Sequence, residues 1–201
     1  MWVPYYGSRV VAWPVGIDID RWSPAGEAAN YDFLIYDKVR WHHHRFEEEL
    51  IDPIRSTLKE RSLSFTEIRY GSYHEEEYER LLHRCRAMIF LCEHETQGIA
   101  YQQALSSGIP ILAWDRAGYW EDPSFFPEKV QFAPVSSVPY WDHRCGEKFA
   151  DAADVRSKLE RFLDAMASGQ YAPRDYILEN LTLEHCARRY VEIVKEVEAE
   201  L

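Results

Sequence analysis

The chain contains 201 residues, of which 46% are hydrophobic and 14% aromatic, and its formal net charge is −11 at pH 7. This length and apolar content exclude a disordered chain and predict one main domain. The acidic balance argues against general nucleic-acid binding, which requires a basic surface. Because no run of about 18 apolar residues is present, no transmembrane segment is expected.

The hydrophobic pattern predicts alternating strands and helices after an irregular first segment. Residues 1–24 are interrupted by aromatic, proline and glycine residues, with a short strand at 10–13 and a turn or hinge at 14–18. The other predicted strands are 32–36, 64–70, 87–91, 111–114 and a short one near 130–132. The predicted helices are 46–61, in which Pro53 is expected to produce a kink, 75–86, one between the third and fourth of these strands, 155–166 and 183–201. This order predicts an α/β fold, a Rossmann-like parallel sheet flanked by helices.

The cysteines predict a reduced protein. None of Cys85, Cys92, Cys145 and Cys186 belongs to a Cys-x-x-Cys pair. The N-terminus has no charged region followed by an apolar stretch, so no signal peptide is expected. We therefore expect a cytoplasmic location.

Polar residues follow the predicted strands at the edge where such folds bind ligands, beyond the carboxyl ends of the strands. In chain order, these residues are Asp37, Lys38 and Arg40; Gly71, Ser72 and Tyr73; Glu93, His94, Glu95, Thr96, Gln97 and Gly98; and Asp115 and Arg116. Cations beside the N–H groups of a helix start favour an anionic ligand such as a diphosphate. A carboxylate in the same cleft, Glu95, suits hydroxyl groups such as those of a sugar. Lys38 and Arg40 could also be solvated loop charges, and Gly71 could serve only a turn.

Other chemistries find little support. Three consecutive imidazoles, His42, His43 and His44, cannot all face one ion from regular structure, so no metal site is expected. No histidine or asparagine arrangement can be assigned to Cys145 as a nucleophile. No Gly-x-Gly-x-x-Gly follows a strand, which disfavours a dinucleotide site.

The segment from Glu95 to Pro110 resembles the donor-nucleotide motif of retaining GT-B glycosyltransferases of the group 1 type. The motif has an acidic residue, a glycine three positions on, a second Glu eight on, and Gly-x-Pro at thirteen and fifteen. Here these positions are Glu95, Gly98, Gln103, Gly108 and Pro110, so an amide replaces the second carboxylate. Residues 14–24, 70–87 and 174 onward resemble further segments of the same family in the same order.

The resemblance implies the C-terminal, donor-binding half of a GT-B fold. It implies a hinge segment at 1–24, a donor-binding domain at 25–175 and a C-terminal crossover helix at 176–201. The acceptor-binding N-terminal Rossmann-like domain is expected in cis or in trans, and without it the chain alone is expected to transfer little sugar. The family also implies a nucleoside-diphosphate sugar as donor, with no cofactor or metal. It implies a cytoplasmic location, at the membrane surface if the acceptor is in the membrane.

Roles for individual residues follow from the same resemblance. Lys38 corresponds to a diphosphate ligand of the family. The family has a second cation five positions further on, where this chain has His43. Arg40 and Arg45 are candidates to supply that second cation. Glu95 is expected to contact the transferred sugar and, with Lys38, to act in catalysis, and Gln103 is expected to lie at the ribose. The remaining donor-binding residues are expected to be Arg40, Gly71, Ser72, Thr96, Gln97, Gly98 and Ile99. Two alternatives remain: a non-catalytic GT-B-like interaction module and half of a sugar-nucleotide epimerase.

Overall fold

A computed structural model of the chain describes residues 6–26, 28–120 and 134–199. The short strand predicted near 130–132 lies outside these residues. Within them, the first element is a 3₁₀ turn at Gly7–Arg9, and the helices and strands that follow build one twisted parallel sheet with helices packed on both faces.

The sheet has five strands in the order β2-β1-β3-β4-β5. Their bounds are β1 Tyr31–Lys38, β2 Phe65–Arg69, β3 Cys85–Cys92, β4 Ile111–Trp114 and β5 Gly146–Phe149. All neighbouring pairs are parallel, which confirms the predicted α/β fold. The strand order reverses direction between β1 and β3, and such a switch point is where open α/β sheets bind their ligands.

The helices differ from prediction mainly at their ends. Their bounds are α1 His43–Phe46, α2 Asp52–Glu60, α3 Glu75–Leu82, α4 Ile99–Ser106, α5 Ala152–Ala167, α6 Pro173–Asn180 and α7 Leu183–Ala199. A π-helical turn, Glu47–Ile51, joins α1 to α2, so the irregularity expected at Pro53 lies just before it. Pro53 is then in the first turn of α2, where the absence of its N–H costs nothing.

Two hydrophobic layers flank the sheet. Leu34 and Tyr36 of β1 pack into the layer that holds α4 and α6, while Phe33 and Ile35 pack into the layer that holds α2 and α5. A strand that is buried on both faces appears in sequence as a continuous apolar run. This explains why β1, β3 and β4 were recognisable from the sequence alone.

The prediction of a strand at residues 10–13 is wrong. Among the described residues, this segment has no ladder partner, and instead the indole N–H of Trp13 donates to the carbonyl of Cys186 at 2.8 Å. Further on, Ile17 forms a single parallel bridge with Thr182. The chain passes so close to α7 that a Cβ on Gly16 would lie 2.5 Å from the Cα of Leu183.

The hydrophobic pattern did not predict strand β5 or helix α6, although the resemblance of residues 174 onward implied terminal helices. β5 has only four residues, and its two central side chains are the charged Glu147 and Lys148, so it has no apolar run. It is an edge strand, and short charged edges resist pairing with other chains. The last predicted helix, by contrast, begins at Leu183 as expected, and the Thr182 hydroxyl accepts the His185 N–H at 3.1 Å as an N-cap.

Candidate functional site

A cavity of about 600 Å³ opens at the carboxyl edge of the sheet, at the β1/β3 switch point. Its lining includes eight of the residues predicted to bind the donor: Lys38, Gly71, Glu95, Thr96, Gln97, Gly98, Ile99 and Gln103. Two others, Arg40 and Ser72, are exposed and are not part of this lining. The cavity therefore joins residues from β1, the end of β2 and the start of α4.

Lys38 and Glu95 form an ion pair inside this cavity. Their side chains are only 13% and 10% exposed, so the pair is largely shielded from water. The pair forms because β1 and β3 run in register, with Lys38 opposite Cys92, three residues before Glu95. The Lys38 ammonium also lies 4.4 Å from the ring centre of Tyr70, a cation–π contact that fixes its direction.

Cys92 lies directly beneath the ion pair. Its thiol donates to the carbonyl of His94 at 3.2 Å, and its sulfur is 3.8 Å from a carboxylate oxygen of Glu95. Burial, reinforced by the Glu95 charge, raises the pKa of this thiol well above its usual value. Cys92 is therefore a neutral packing residue rather than a nucleophile.

Helix α4 begins at the cavity with an unusual turn. Gly98 has a left-handed φ of 75°, and among the described residues no side chain caps the helix start. A Cβ at this position would lie 2.0 Å from the ring of Tyr101, so only glycine fits. The first N–H groups of a helix have no partner within the helix and favour anions.

Gln97 holds the N-terminal segment against this helix start. Its amide oxygen accepts the Val15 N–H at 2.9 Å, and its amide nitrogen donates to the Trp13 carbonyl at 3.1 Å. The side chain is thus already used for a structural contact. Its assignment as a donor ligand remains a prediction.

Four tyrosines contribute to the lining of the cavity, a feature that the sequence analysis did not identify. They are Tyr36, Tyr70, Tyr73 and Tyr78. The hydroxyls of Tyr36 and Tyr73 hydrogen-bond to each other at 2.5 Å, and the Tyr78 hydroxyl donates to the carbonyl of Ala100 at 2.6 Å. Burial raises the pKa values of Tyr36, Tyr73 and Tyr78 above the ordinary tyrosine value, so these three hydroxyls are neutral. Their scattered positions, at a strand end, in a loop and in a helix, could not be related before the fold was known.

The second cation of the family pattern is not found at His43. The His43 imidazole contacts the Asp37 carboxylate at 2.6 Å, and Arg69 donates to the same oxygen at 2.7 Å. Arg45 pairs with Glu49 on an exposed surface. Lys38 is the only lysine or arginine among the described residues that line the cavity.

Arg40 lies just beyond the end of β1, with its backbone held by a second acidic residue. The Arg40 and Trp41 N–H groups donate to the buried carboxylate of Glu93, at 2.9 and 3.0 Å. The Arg40 guanidinium packs 4.8 Å from the ring centre of Trp41. The buried Glu93 carboxylate therefore organises the loop after β1.

Neither a metal site nor a membrane span is found in the part of the chain that the structure describes. No group of three or more histidine, cysteine, aspartate and glutamate side chains is placed to hold an ion there. Likewise, none of the helices in these ranges combines the length and apolarity needed to cross a bilayer.

The fold is Rossmann-like, with a polar cavity at the switch point of a parallel sheet. No protein-family model matches the sequence, and no match was found among curated proteins. Solved structures resemble the fold. Sucrose-phosphate synthase from Thermosynechococcus elongatus matches with a TM-score of 0.60 and 12% identity, over 100% of this chain and 56% of that one.

Two further structures match in the same way. TarM has a TM-score of 0.54 and 13% identity, over 85% of this chain and 36% of that one. The GtfA/B complex has a TM-score of 0.58 and 13% identity, over 91% of this chain and 39% of that one. These proteins are GT-B glycosyltransferases, and the chain has the fold of a C-terminal GT-B domain. It spans 56%, 36% and 39% of the lengths of these three chains, respectively.

Proposed function

We propose that this chain is the nucleoside-diphosphate-sugar-binding domain of a retaining glycosyltransferase. The observation that supports this most is the Lys38–Glu95 pair, which lies in a cavity at the β1/β3 switch point beside the open start of α4. Cations and helix N–H groups bind phosphates, and a carboxylate binds sugar hydroxyls. This cavity contains all three kinds of group.

Each group has a separate role in this proposal. Transfer breaks the bond between the anomeric carbon and the diphosphate, and negative charge develops on the departing phosphate. Lys38 and the α4 N–H groups stabilise that charge from fixed positions, which lowers the barrier. Glu95 accepts hydrogen bonds from sugar hydroxyls, and the neutral Tyr36–Tyr73 pair binds polar groups of the donor without adding charge.

The acceptor-binding half is proposed to cover helix α7. Five apolar side chains of α7 are between 39% and 56% exposed: Leu183, Tyr190, Val191, Val194 and Val197. Trp13, at 39% exposure, extends this surface through a ring contact with Tyr190 at 5.1 Å. A Rossmann-like N-terminal domain, in cis or in trans, would bury this apolar surface and close the donor cleft. Without it, the chain would bind donor and transfer little sugar.

A non-catalytic binding or scaffold role is the second candidate. It is favoured by Gln103, an amide in the position of the family's second carboxylate, and by the internal neutralisation of Lys38. The two candidates share the fold and differ in whether the cavity binds a nucleotide.

Isothermal titration with UDP, GDP and ADP, followed by the matching nucleotide sugars, tests the proposal. We expect binding of one nucleotide and a loss of about tenfold or more in Lys38→Met, because a charge-assisted contact to phosphate is removed. Lys59→Met, which removes an exposed lysine from α2, is the matched control. If the folded wild-type protein binds none of these nucleotides at millimolar concentration, the donor-site proposal is wrong and the scaffold role remains.

A further inference from the structure

The N-terminal segment reaches the proposed donor cavity through the side chain of Gln97. Gln97 lines this cavity, and both polar atoms of its amide group bond to main-chain atoms of Trp13 and Val15. We call residues 10–15 the strap. The sequence analysis placed the strap in a hinge segment and Gln97 among the donor ligands, but it did not connect the two. The structure joins a cavity residue to a segment outside the sheet.

The strap is anchored less firmly than the chain that follows it. After Gly16, the side chain of Ile17 is only 3% exposed, and the Ile17 N–H donates to a main-chain carbonyl at 2.8 Å. Within the strap, Val11 and Trp13 are 44% and 39% exposed. Beyond the bonds to Gln97, the main anchor of the strap is the Trp13 side chain, which contacts α7. A segment with few buried contacts can open without unfolding the domain.

The main chain of Gln97 is held from inside the domain by Gln102. The side-chain amide of Gln102 donates to the Gln97 carbonyl, and the Gln102 N–H donates to the Gly98 carbonyl at 3.2 Å. Gln102 is fully buried, and among the described residues its amide oxygen has no hydrogen-bond partner. An unpaired buried oxygen costs free energy. The side chain nevertheless keeps the orientation that bonds Gln97, so the main chain before Gly98 has a defined position.

Gln97 therefore joins the strap to the start of α4. Its side chain bonds the strap, its main chain bonds α4, and Gly98, the next residue, has the left-handed φ at which the helix opens. The N–H groups that follow are the anion-binding groups of a helix start. When the strap is undocked, Gln97 lacks both side-chain bonds, and the freedom that this loop gains must be lost again when a ligand binds. A docked strap removes that cost in advance.

We propose that Gln97 is a positioning residue that couples the strap to the ligand site. The docked strap holds the start of α4 in the orientation that binds an anion, and a ligand in the cavity stabilises the docked strap in return. The coupling is positive because the strap already satisfies the Gln97 amide, so a ligand bound to the α4 N–H groups has no need to displace it. The inference rests on the proposed function for its nucleotide ligand, whereas the ordering of α4 by the strap requires no ligand.

Titration of strap variants tests the coupling, with the nucleoside diphosphate that the protein prefers as probe, or pyrophosphate if it prefers none. Val15→Pro removes the N–H that Gln97 accepts, and Gln97→Met removes the amide group. We expect each to bind the probe about threefold to tenfold more weakly. The double variant should lose little more than Gln97→Met alone, because both changes break one link. Val11→Pro is the matched control, because the Val11 N–H bonds no other described residue.

Amide hydrogen exchange measures the coupling in the reverse direction. Because coupling between two sites is reciprocal, saturating probe should slow exchange of the Val15 N–H in the wild type by the same threefold to tenfold. A residue with a merely structural role would leave this exchange independent of the probe. Without any probe, the Gln102 N–H, which bonds the Gly98 carbonyl, should exchange faster in Val15→Pro than in Val11→Pro.

The outcomes separate this inference from the proposed function. Equal affinities in Val15→Pro and Val11→Pro, additive losses in the double variant, or Val15 exchange that the probe does not slow overturn the coupling, while the proposed function stands. If neither a nucleotide nor pyrophosphate binds, the proposed function fails, and Gln102 exchange decides: faster exchange in Val15→Pro supports the positioning role, and equal exchange overturns it. If Val15→Pro does not fold, Gln97→Met gives the same comparisons against Gln170→Met, outside the cavity.

Discussion

Glu95 and Lys38 neutralise each other at the β1/β3 switch point. A phosphate that binds Lys38 must therefore compete with a carboxylate that is already in place. The pair orients the lysine and at the same time lowers its attraction for anions. Under the proposed function, the pair makes Glu95 a determinant of phosphate affinity as well as a candidate sugar ligand.

Glu95→Gln is expected to bind the nucleoside diphosphate that the protein prefers about threefold to tenfold more tightly. The substitution removes both the competitor for Lys38 and the repulsion between two anions, a gain of about 1 kcal/mol. The additional affinity for the nucleotide sugar over the free nucleotide should disappear. Titrations with both ligands measure the two effects, and Glu76→Gln on exposed α3 is the control. Unchanged affinity for the free nucleotide would show that the pair does not compete with phosphate.

Gln103→Glu is expected to increase the preference for a ribonucleotide over its 2′-deoxy counterpart by about threefold to tenfold. A carboxylate accepts stronger hydrogen bonds from sugar hydroxyls than an amide does. Both absolute affinities should fall, because the new charge repels phosphate, so the ratio is the informative quantity. Gln170→Glu adds the same charge outside the cavity and should leave the ratio alone. A constant ratio in Gln103→Glu would remove residue 103 from the ribose site.

Gly98→Ala is expected to cost about 3 kcal/mol or more in the free energy of unfolding. The left-handed φ of 75° costs about 1–2 kcal/mol for alanine, and the new Cβ would overlap the Tyr101 ring, which adds an overpacking cost. Tyr101 is fully buried, and its hydroxyl is hydrogen-bonded to the backbone of Tyr140, so it cannot move aside cheaply.

Gly71→Ala separates the two causes of the Gly98→Ala effect. Gly71 has a φ of 82° but open space around its Cβ position. It should show only the backbone cost, about 1–2 kcal/mol. Urea denaturation of both variants gives the comparison. Equal losses would mean that the Tyr101 contact carries no energy.

The stability of the protein is expected to fall in acid partly through Asp142. Hydrogen bonds from the Arg144 guanidinium hold the pKa of the Asp142 carboxyl below its usual value. A depressed folded-state pKa adds stability above the unfolded-state pKa, and that stability is lost as pH falls through the folded-state value. Asp142→Asn should therefore be less stable than wild type at pH 7, and the difference should shrink between about pH 5 and about pH 2. Urea denaturation across this range measures it. A difference that is independent of pH would contradict the assignment.

The convergence of Lys38, Gly71 and Glu95 was predictable from the sequence. Each follows an apolar run that is long enough to be recognised as a strand. Parallel strands place their carboxyl ends on one edge, so residues that follow those runs must meet there. The cavity confirms this meeting, whereas the functions of these residues remain predictions.

The ends of the helices and the residue that supplies the family's second cation were not predictable in the same way. The helix expected to end at residue 86 ends at Leu82, because Cys85 already pairs with Tyr31 of β1. The candidates His43 and Arg45 have their own acidic partners, Asp37 and Glu49. Such choices depend on which side chains the packing brings together, and sequence spacing does not reveal them.

By itself, the sequence determined the alternation of strands and helices, the edge of the sheet that carries the site, and the glycine at the start of α4. These properties are local, because neighbouring residues determine the apolar runs, the helical periodicity and the motif around Gly98. The tertiary structure alone decided which charges pair: Lys38 with Glu95, and Arg69 and His43 with Asp37. Ion pairing depends on distances between residues far apart in the chain, and only the folded sheet sets those distances.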